Sequence, residues 1–208
     1  MKQRTNEWFK ARLGKFTASE IHKLMGAKGF GQTGESYILE KVAEQLTEES
    51  KDIPQTKAME WGQNLEDTAK EYYEIAFKEK IKEEGLVVPD WCKDAGASPD
   101  GLLEGKSKGL EIKCPFVSAN HVKHLTMKSA NNLKANAKEY YWQIIHCLAV
   151  TGLERWDFCS FDPRFTGSLR MFCMEVKAVD VADDIALLKQ RIIEASERKQ
   201  EIINQINL

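Results

Sequence analysis

Two carboxylates and an amine stand close together in the runs Ser98-Pro99-Asp100-Gly101-Leu102-Leu103 and Leu110-Glu111-Ile112-Lys113-Cys114-Pro115. An Asp followed at a short distance by Glu-x-Lys suits the cleavage of phosphodiesters. That reaction needs a hydroxide aimed in line with the scissile bond, and charge neutralised on the phosphoryl oxygens and on the leaving 3′ oxygen. Mg²⁺ is a hard octahedral ion that binds one or two carboxylates and keeps several waters, so Asp100 and Glu111 are suitable donors and the Ile112 carbonyl can add a third oxygen. Lys113 would hold the attacking water and assist its deprotonation, or stabilise the negative charge that develops. A second carboxylate would admit a second ion about 4 Å from the first. Glu66, in Trp61-Gly62-Gln63-Asn64-Leu65-Glu66, is the candidate to supply it, although its position alone better fits one more solvated helix acid. The set points to a metal-dependent nuclease.

These groups can act together only if the chain folds back between them. Gly101, Gly105 and Gly109 punctuate two short apolar runs, so 102–103 and 110–112 are expected to be the arms of a β-hairpin. Alternation along a strand sets Glu111 and Lys113 on one face, roughly 6.6 Å apart, with Ile112 and Cys114 turned toward the core. Upstream, the spacing of Trp8, Phe9 and Leu13 predicts a helix over 6–13 stopped by Gly14, and Thr17-Ala18-Ser19-Glu20 reads as a capping box opening a short helix through Met25. Three glycines make 28–34 a loop. Further helices are expected over 36–46, 57–77 and 137–150, and strands over 86–88, 156–161 and 169–176. A last helix carries Ile185, Leu188, Ile192, Ala195, Ile202 and Ile206 as a core-facing stripe. Gly62 and Ala69 would let the 57–77 helix approach the sheet. This order makes an α/β fold, a central mixed β-sheet flanked by helices on both sides. With no Pro-, Gly- or Ser-rich linker, 1–208 is expected to be a single domain.

The net charge of −2 says little about nucleic acid, but its distribution is uneven. Lys and Arg outnumber acids seven to two over 1–34 and again over 105–140, whereas acids lead fifteen to seven over 35–90. Such segments are commonly solvated helix faces; they gain interest only from the hairpin chemistry beside them. No apolar run is long enough for a membrane span and no leader-like start is present, so a cytoplasmic protein is expected. The five cysteines are odd in number and form no C-x-x-C pair, which argues for reduced core residues rather than a disulfide framework or a zinc site. His121 and His124 read as polar surface, and His146 as packed beside Gln143. Trp8, Trp61, Trp91, Trp142 and Trp156 fit burial better than base stacking.

Taken in order, Arg12-Leu13-Gly14 with Thr17-Ala18-Ser19-Glu20, Ser36-Tyr37, Trp61-Gly62 with Glu66, Ser98-Pro99-Asp100-Gly101, the run 110–116, Tyr140 with Gln143, and Asp162-Pro163-Arg164 form a series. That series resembles the phage lambda-type exonucleases and related viral alkaline exonucleases, built on the restriction-endonuclease-like core of the PD-(D/E)XK nuclease superfamily. It spans almost the whole chain, and Leu-Glu-Ile-Lys-Cys-Pro after Ser-Pro-Asp-Gly is far more specific than the acid and lysine spacing alone. The resemblance implies a Mg²⁺-dependent 5′→3′ exonuclease, with Mn²⁺ as a substitute ion. Such an enzyme degrades one strand of linear double-stranded DNA and leaves a 3′ single-stranded tail for recombination. It also implies a ring-shaped homotrimer around DNA, working with a single-strand annealing protein. Position by position, Asp100, Glu111 and the Ile112 carbonyl would bind metal, with Glu66 nearby for a second ion or a water. Lys113 would be the catalytic lysine and Gln143 a helper beside it. Arg12, Ser19 and Ser98 would receive the 5′-terminal phosphate, a planar fork of donors completed by hydroxyls. Met59 stands where the family tends to place an apolar wedge that splits the terminal base pair.

An endonuclease on the same core is the first alternative, separated by a covalently closed duplex, which an exonuclease leaves intact. A non-catalytic DNA-binding or annealing module is the second, and the intact Asp100, Glu111 and Lys113 speak against it. The iron–sulfur branch of the superfamily needs four cysteine ligands, which these scattered cysteines do not offer.

Overall fold

The computed structural model describes residues 1–50 and 54–206. In chain order the helices are α1 (Asn6–Arg12), α2 (Gly31–Thr47), α3 (Lys57–Phe77), α4 (Ser118–Leu125), α5 (Ala130–Asn136), α6 (Lys138–Thr151) and α7 (Ala182–Ile206). The strands are β1 (Phe16–Thr17), β2 (Ile81–Lys82), β3 (Ala95–Gly96), β4 (Gly101–Leu103), β5 (Lys108–Lys113), β6 (Arg155–Phe161) and β7 (Met171–Lys177). Five strands form the main sheet in the order β2-β4-β5-β6-β7, and β1 and β3 pair in parallel outside it. Only β5 and β6 run parallel within the main sheet; the other pairs are antiparallel. A parallel pair needs a long crossover, and α4, α5 and α6 supply it.

The expected hairpin is β4 and β5, with Gly101 opposite Leu110 and Leu102 opposite Gly109. Gly109 has no substitute: a Cβ there would lie 2.3 Å from the Trp156 ring of β6. Leu110 and Ile112 turn toward α3, where Ala69 and Tyr73 join Leu103, Cys159 and Phe161 in one buried cluster. Glu111 and Lys113 turn toward α6 instead. The larger cluster fills that opposite side, between the sheet and α2, α6 and α7. The structure is therefore the mixed sheet covered on both faces that the residue patterns imply.

Several expectations need correction. The 28–34 segment is not all loop, because α2 begins at Gly31, and Gly34 sits inside its first turns against Phe30 and the Lys23 carbonyl. Thr17 makes no side-chain cap; the turn after it, Ala18–Leu24, is a 3₁₀ helix, and the Thr17 N–H donates to Tyr37 Oη instead. Residues 86–88 are not a strand of the sheet: Val87 makes a single bridge to Ala97, and the edge is the short β2. A Cβ at Gly62 would meet nothing, so the close approach of α3 belongs to Ala69. Trp8, Trp142 and Trp156 are buried, whereas Trp61 and Trp91 are partly exposed.

The reading of the cysteines as reduced is overturned for one pair. Cys159 of β6 faces Cys173 of β7, their Cα atoms 4.2 Å apart, and the two form a disulfide. Neither parity nor C-x-x-C spacing reports strand register, which alone brings this pair together. His121 and His124 are likewise buried, not surface residues: the Nδ1 atoms of both lie 2.8 Å from Ser160 Oγ. Both lie on α4. The α7 stripe packs inward at Leu188, Ile192 and Ala195, but Ile206 is exposed and Lys199 is buried within it, donating to the Gly14 carbonyl and pairing with Asp94.

Candidate active site

Asp100 takes over where the β4 ladder ends. Beyond the Gly101 and Leu110 pair, the Ile112 N–H donates to Asp100 Oδ2 at 2.7 Å, which fixes the carboxylate beside β5. One strand position away on each side, Glu111 and Lys113 meet over the face toward α6. Lys113 Nζ lies 2.6 Å from Glu111 Oε1, and Glu111 is only 2% exposed. Gln143 of α6 closes the triangle: its Nε2 donates to Glu111 Oε1 at 2.6 Å and its Oε1 accepts from Lys113 Nζ at 3.0 Å. A carboxylate accepts and an ammonium donates, so the amide is held in one orientation. The ammonium also lies 4.8 Å from the centre of the Tyr140 ring, one helical turn from Gln143.

The electrostatics favour a cation. Burial first, and then the charge of Glu111, push the Asp100 carboxyl up to about 8 against the pull of Lys113. Burial opposes the charge on Lys113, yet Glu111 and Asp100 hold its pKa above the ordinary lysine value, so it stays an ammonium. One ammonium thus serves two carboxylates, Glu111 buried and Asp100 partly so. Among the described residues no three His, Cys, Asp or Glu side chains converge closely enough to hold a metal ion. What they offer is a pair of hard oxygen donors, Asp100 and Glu111, the donor type Mg²⁺ takes while keeping several waters. Glu66 lies on α3 and, with Asp100, lines a cleft of about 670 Å³. Burial works against its ionisation, but Lys70 and Arg4, both bonded to it, hold its pKa below the ordinary value.

Beside this centre, α1 carries a cation without an anion. The Arg12 guanidinium lies 4.2 Å over the Trp8 ring, and both Arg12 Nη1 and Trp8 Nε1 donate to Ser98 Oγ, at 3.3 and 2.9 Å. Among the described residues no carboxylate comes within ion-pair distance of Arg12. His146 Nε2 contacts the Gly96 carbonyl at 2.9 Å and steadies the chain leading to Ser98. Ser19 is exposed at the start of the 3₁₀ turn, and among the described residues no hydrogen bond joins it to Arg12 or Ser98. Met59 is 42% exposed in the first turn of α3, whose N-terminus Thr56 caps.

Residues 7–154 match the model of the YqaJ-like viral recombinase domain. The chain belongs to this family. Among solved structures, the alkaline exonuclease LHK-Exo from Laribacter hongkongensis is 28% identical over 98% of both chains, with a TM-score of 0.80. LHK-Exo in complex with dAMP gives 29% identity, the same coverage and the same TM-score. A phage-related exonuclease from Haemophilus somnus 129PT shares the fold, with a TM-score of 0.71 at 13% identity over 92% of this chain and 96% of that one. No curated protein matches the chain. The matches support a nuclease role in DNA recombination for this YqaJ-like domain.

Within the YqaJ-like chain, the structure brings Asp100, Glu111, Lys113 and Gln143 together and sets Arg12 with Ser98; it leaves Ser19 and Met59 apart from them. Three contributors were not foreseen. Tyr140 stands in the sequence only beside Gln143 in the series, and its place one turn before Gln143 is the signal for its part. The Asp162 to Arg164 motif turns out to be a brace: Arg164 Nε donates to Asp162 Oδ1 at 2.7 Å, its other nitrogens reach the Pro115 and Phe116 carbonyls, and its guanidinium lies 4.7 Å over the Trp61 ring. The segment following Lys113 is thereby tied to α3. The third, Arg4, gives no sign in the sequence of its contact with Glu66.

Proposed function

We propose that this protein is a Mg²⁺-dependent 5′→3′ exonuclease that degrades one strand of linear double-stranded DNA from a 5′-phosphorylated end, leaving 3′ single-stranded DNA for recombination. The observation that carries this reading is the triangle that Lys113 and Gln143 make with the buried Glu111 beside Asp100, with the unpaired Arg12 and Ser98 next to it. Asp100, Glu111 and the Ile112 carbonyl would hold the ion, with Glu66 available to a second. A bound ion supplies an activated water and neutralises charge on the scissile phosphate. Lys113, already an ammonium, stabilises the negative charge that grows on the phosphoryl group, and Gln143 and Tyr140 keep it pointed there. Arg12 and Ser98 receive the terminal phosphate, and Ser19 joins them once the phosphate is bound. Met59, exposed at the mouth of α3, serves as the wedge.

LHK-Exo binds dAMP, a deoxynucleoside monophosphate of the kind that stepwise removal from an end releases. A homotrimer around DNA, a single-strand annealing partner and a cytoplasmic location complete the proposal. No helix among the described residues is long and apolar enough to cross a membrane. The deciding experiment digests linear duplexes labelled at either end, with and without 5′-phosphate, with and without Mg²⁺, beside a covalently closed circle. Loss of label from phosphorylated 5′ ends, only with Mg²⁺ and with the circle untouched, is expected. Nicking of the circle would replace the exonuclease with an endonuclease, and an inert protein would leave a binding module.

A further inference from the structure

Glu66 is the one acid of the cleft whose two oxygens are both taken by cations of this chain. Oε1 accepts from Lys70 Nζ at 2.8 Å, and Oε2 is bound by the Arg4 guanidinium. The two cations differ in how firmly they are held. Lys70 is 16% exposed and sits one helical turn from Glu66 on α3, whereas the Arg4 side chain is 51% exposed and reaches in from the turn before α1. That segment is built to aim Arg4. Gln3 Nε2 donates to the carbonyls of Glu84 and Pro99, both at 2.7 Å, and Thr5 caps α1 by accepting from the Trp8 N–H. Between these two anchors Arg4 adopts φ +64°, a left-handed backbone that L residues enter reluctantly. Gly85 completes the seat, since a Cβ there would fall 2.3 Å from the Met1 carbonyl oxygen. The backbone is pinned on both sides of Arg4 while its side chain is left half in solvent.

We propose that Arg4 is a phosphate-binding residue of the DNA site, parked on Glu66 until a divalent cation claims that carboxylate. The inference rests on the proposed nuclease function and deepens it. Arg4 and a divalent ion compete for the same oxygen, so they exclude each other there. Arg4 is the partner that yields, because releasing a half-exposed side chain costs less than uncoupling a more sheltered pair within one helix. Once released, the guanidinium stays within side-chain reach of the cleft that Glu66 and Asp100 line. A guanidinium fork in such a cleft is suited to the oxygens of a DNA phosphate. The parked state keeps Glu66 neutralised until such an ion binds.

The test compares wild type with Arg4→Ala and Arg4→Gln, after thermal melts confirm that each is folded. Mn²⁺ binding without DNA is followed by calorimetry. Binding of a 5′-phosphorylated duplex is followed in Ca²⁺ across a salt series. Removing a half-exposed competitor is expected to tighten Mn²⁺ binding about two- to fivefold. The same variants are expected to bind the duplex about five- to tenfold more weakly, with the slope of log K against log salt reduced by about one. Unchanged or weaker Mn²⁺ binding in both variants would overturn the competition. Tighter Mn²⁺ binding with unchanged duplex affinity and salt slope would overturn the phosphate contact. If wild type binds no Mn²⁺ and cuts no duplex, the nuclease reading itself fails, an outcome distinct from either.

Discussion

Asp100→Asn should make the metal-free protein more stable while destroying its chemistry. An unfolded aspartate ionises near 3.8, whereas burial and the neighbouring Glu111 charge push native Asp100 up to about 8. Between these values the unfolded state has released a proton that the native state still holds, so native stability falls as pH rises through this window. At pH 7 the ceiling on that cost is about 4 kcal/mol, at about 1.4 kcal/mol per pH unit. The true gain is smaller, because the Asn amide brings an NH₂ group that must find an acceptor in the same space. The amide oxygen of Asn still accepts from Ile112 N–H. A gain of about 1–3 kcal/mol is expected, roughly 3–10 °C in melting temperature for a chain of this size. Thermal melts of both proteins in chelator at pH 5, 7 and 9 should show the gap widening with pH and levelling above about 8. Adding Mg²⁺ should raise wild type alone, since binding to the native state stabilises it and the variant lacks a ligand. A variant less stable than wild type at pH 7 in chelator, or a gap indifferent to pH, would refute the account of Asp100 as a strained acid awaiting a cation.

Lys113→Ala, Asp100→Ala and Glu111→Ala should each lower cleavage by about 100-fold or more while a far-ultraviolet spectrum and duplex binding persist; full activity in any one would remove it from the chemistry. Arg12→Ala should lower the preference for a 5′-phosphate over a 5′-hydroxyl end by about tenfold or more, as expected for a charge-assisted contact, and an unchanged ratio would take Arg12 out of the phosphate cup. Burial holds both His124 and His146 at about 4. Their stabilisation is complete above about 6.5 and is lost as pH falls toward 4, up to about 3 kcal/mol each. Melts at pH 7 and 5 in the Asp100→Asn background, which removes the opposing slope of Asp100, should show the loss; a flat profile would mean that the histidines titrate normally. Alkylation of the denatured, unreduced protein should label three cysteines, Cys92, Cys114 and Cys147, whereas five labels would show that Cys159 and Cys173 are not joined.

What the residue pattern discloses about this molecule follows from how far each determinant lies from its partner. The β4 and β5 hairpin was legible because glycine punctuation and alternation act over a few residues, and the same alternation put Glu111 and Lys113 on one face. The α3 and α6 helices were legible because their apolar periodicity is long and regular. By contrast, α4 has its buried positions at His121 and His124, which no hydrophobic count registers. Their satisfaction by Ser160 crosses 39 and 36 residues of chain. The disulfide depends on the register of β6 against β7. The 3₁₀ turn after Thr17 shows the same limit from the other side. A sound local capping signal lost to a long-range contact, because Tyr37 offered the Thr17 N–H a buried partner.

The same rule sorts the site itself. Metal chemistry demands carboxylates at fixed spacing on one element, so Asp100, Glu111 and Lys113 show in the sequence. The groups that tune them, Gln143 and Tyr140 on α6 and Arg4 ahead of α1, arrive from elements whose own periodicity is indifferent to the site. Glu66 stands between these classes. Its carboxylate is visible, but its state is set by Arg4, 62 residues away, and by Lys70 one turn along the helix. A solvated acid at this position would be free to meet a divalent ion at any time. With both oxygens engaged by cations it would bind one by exchange, which under the proposal above couples ion capture to the release of a guanidinium.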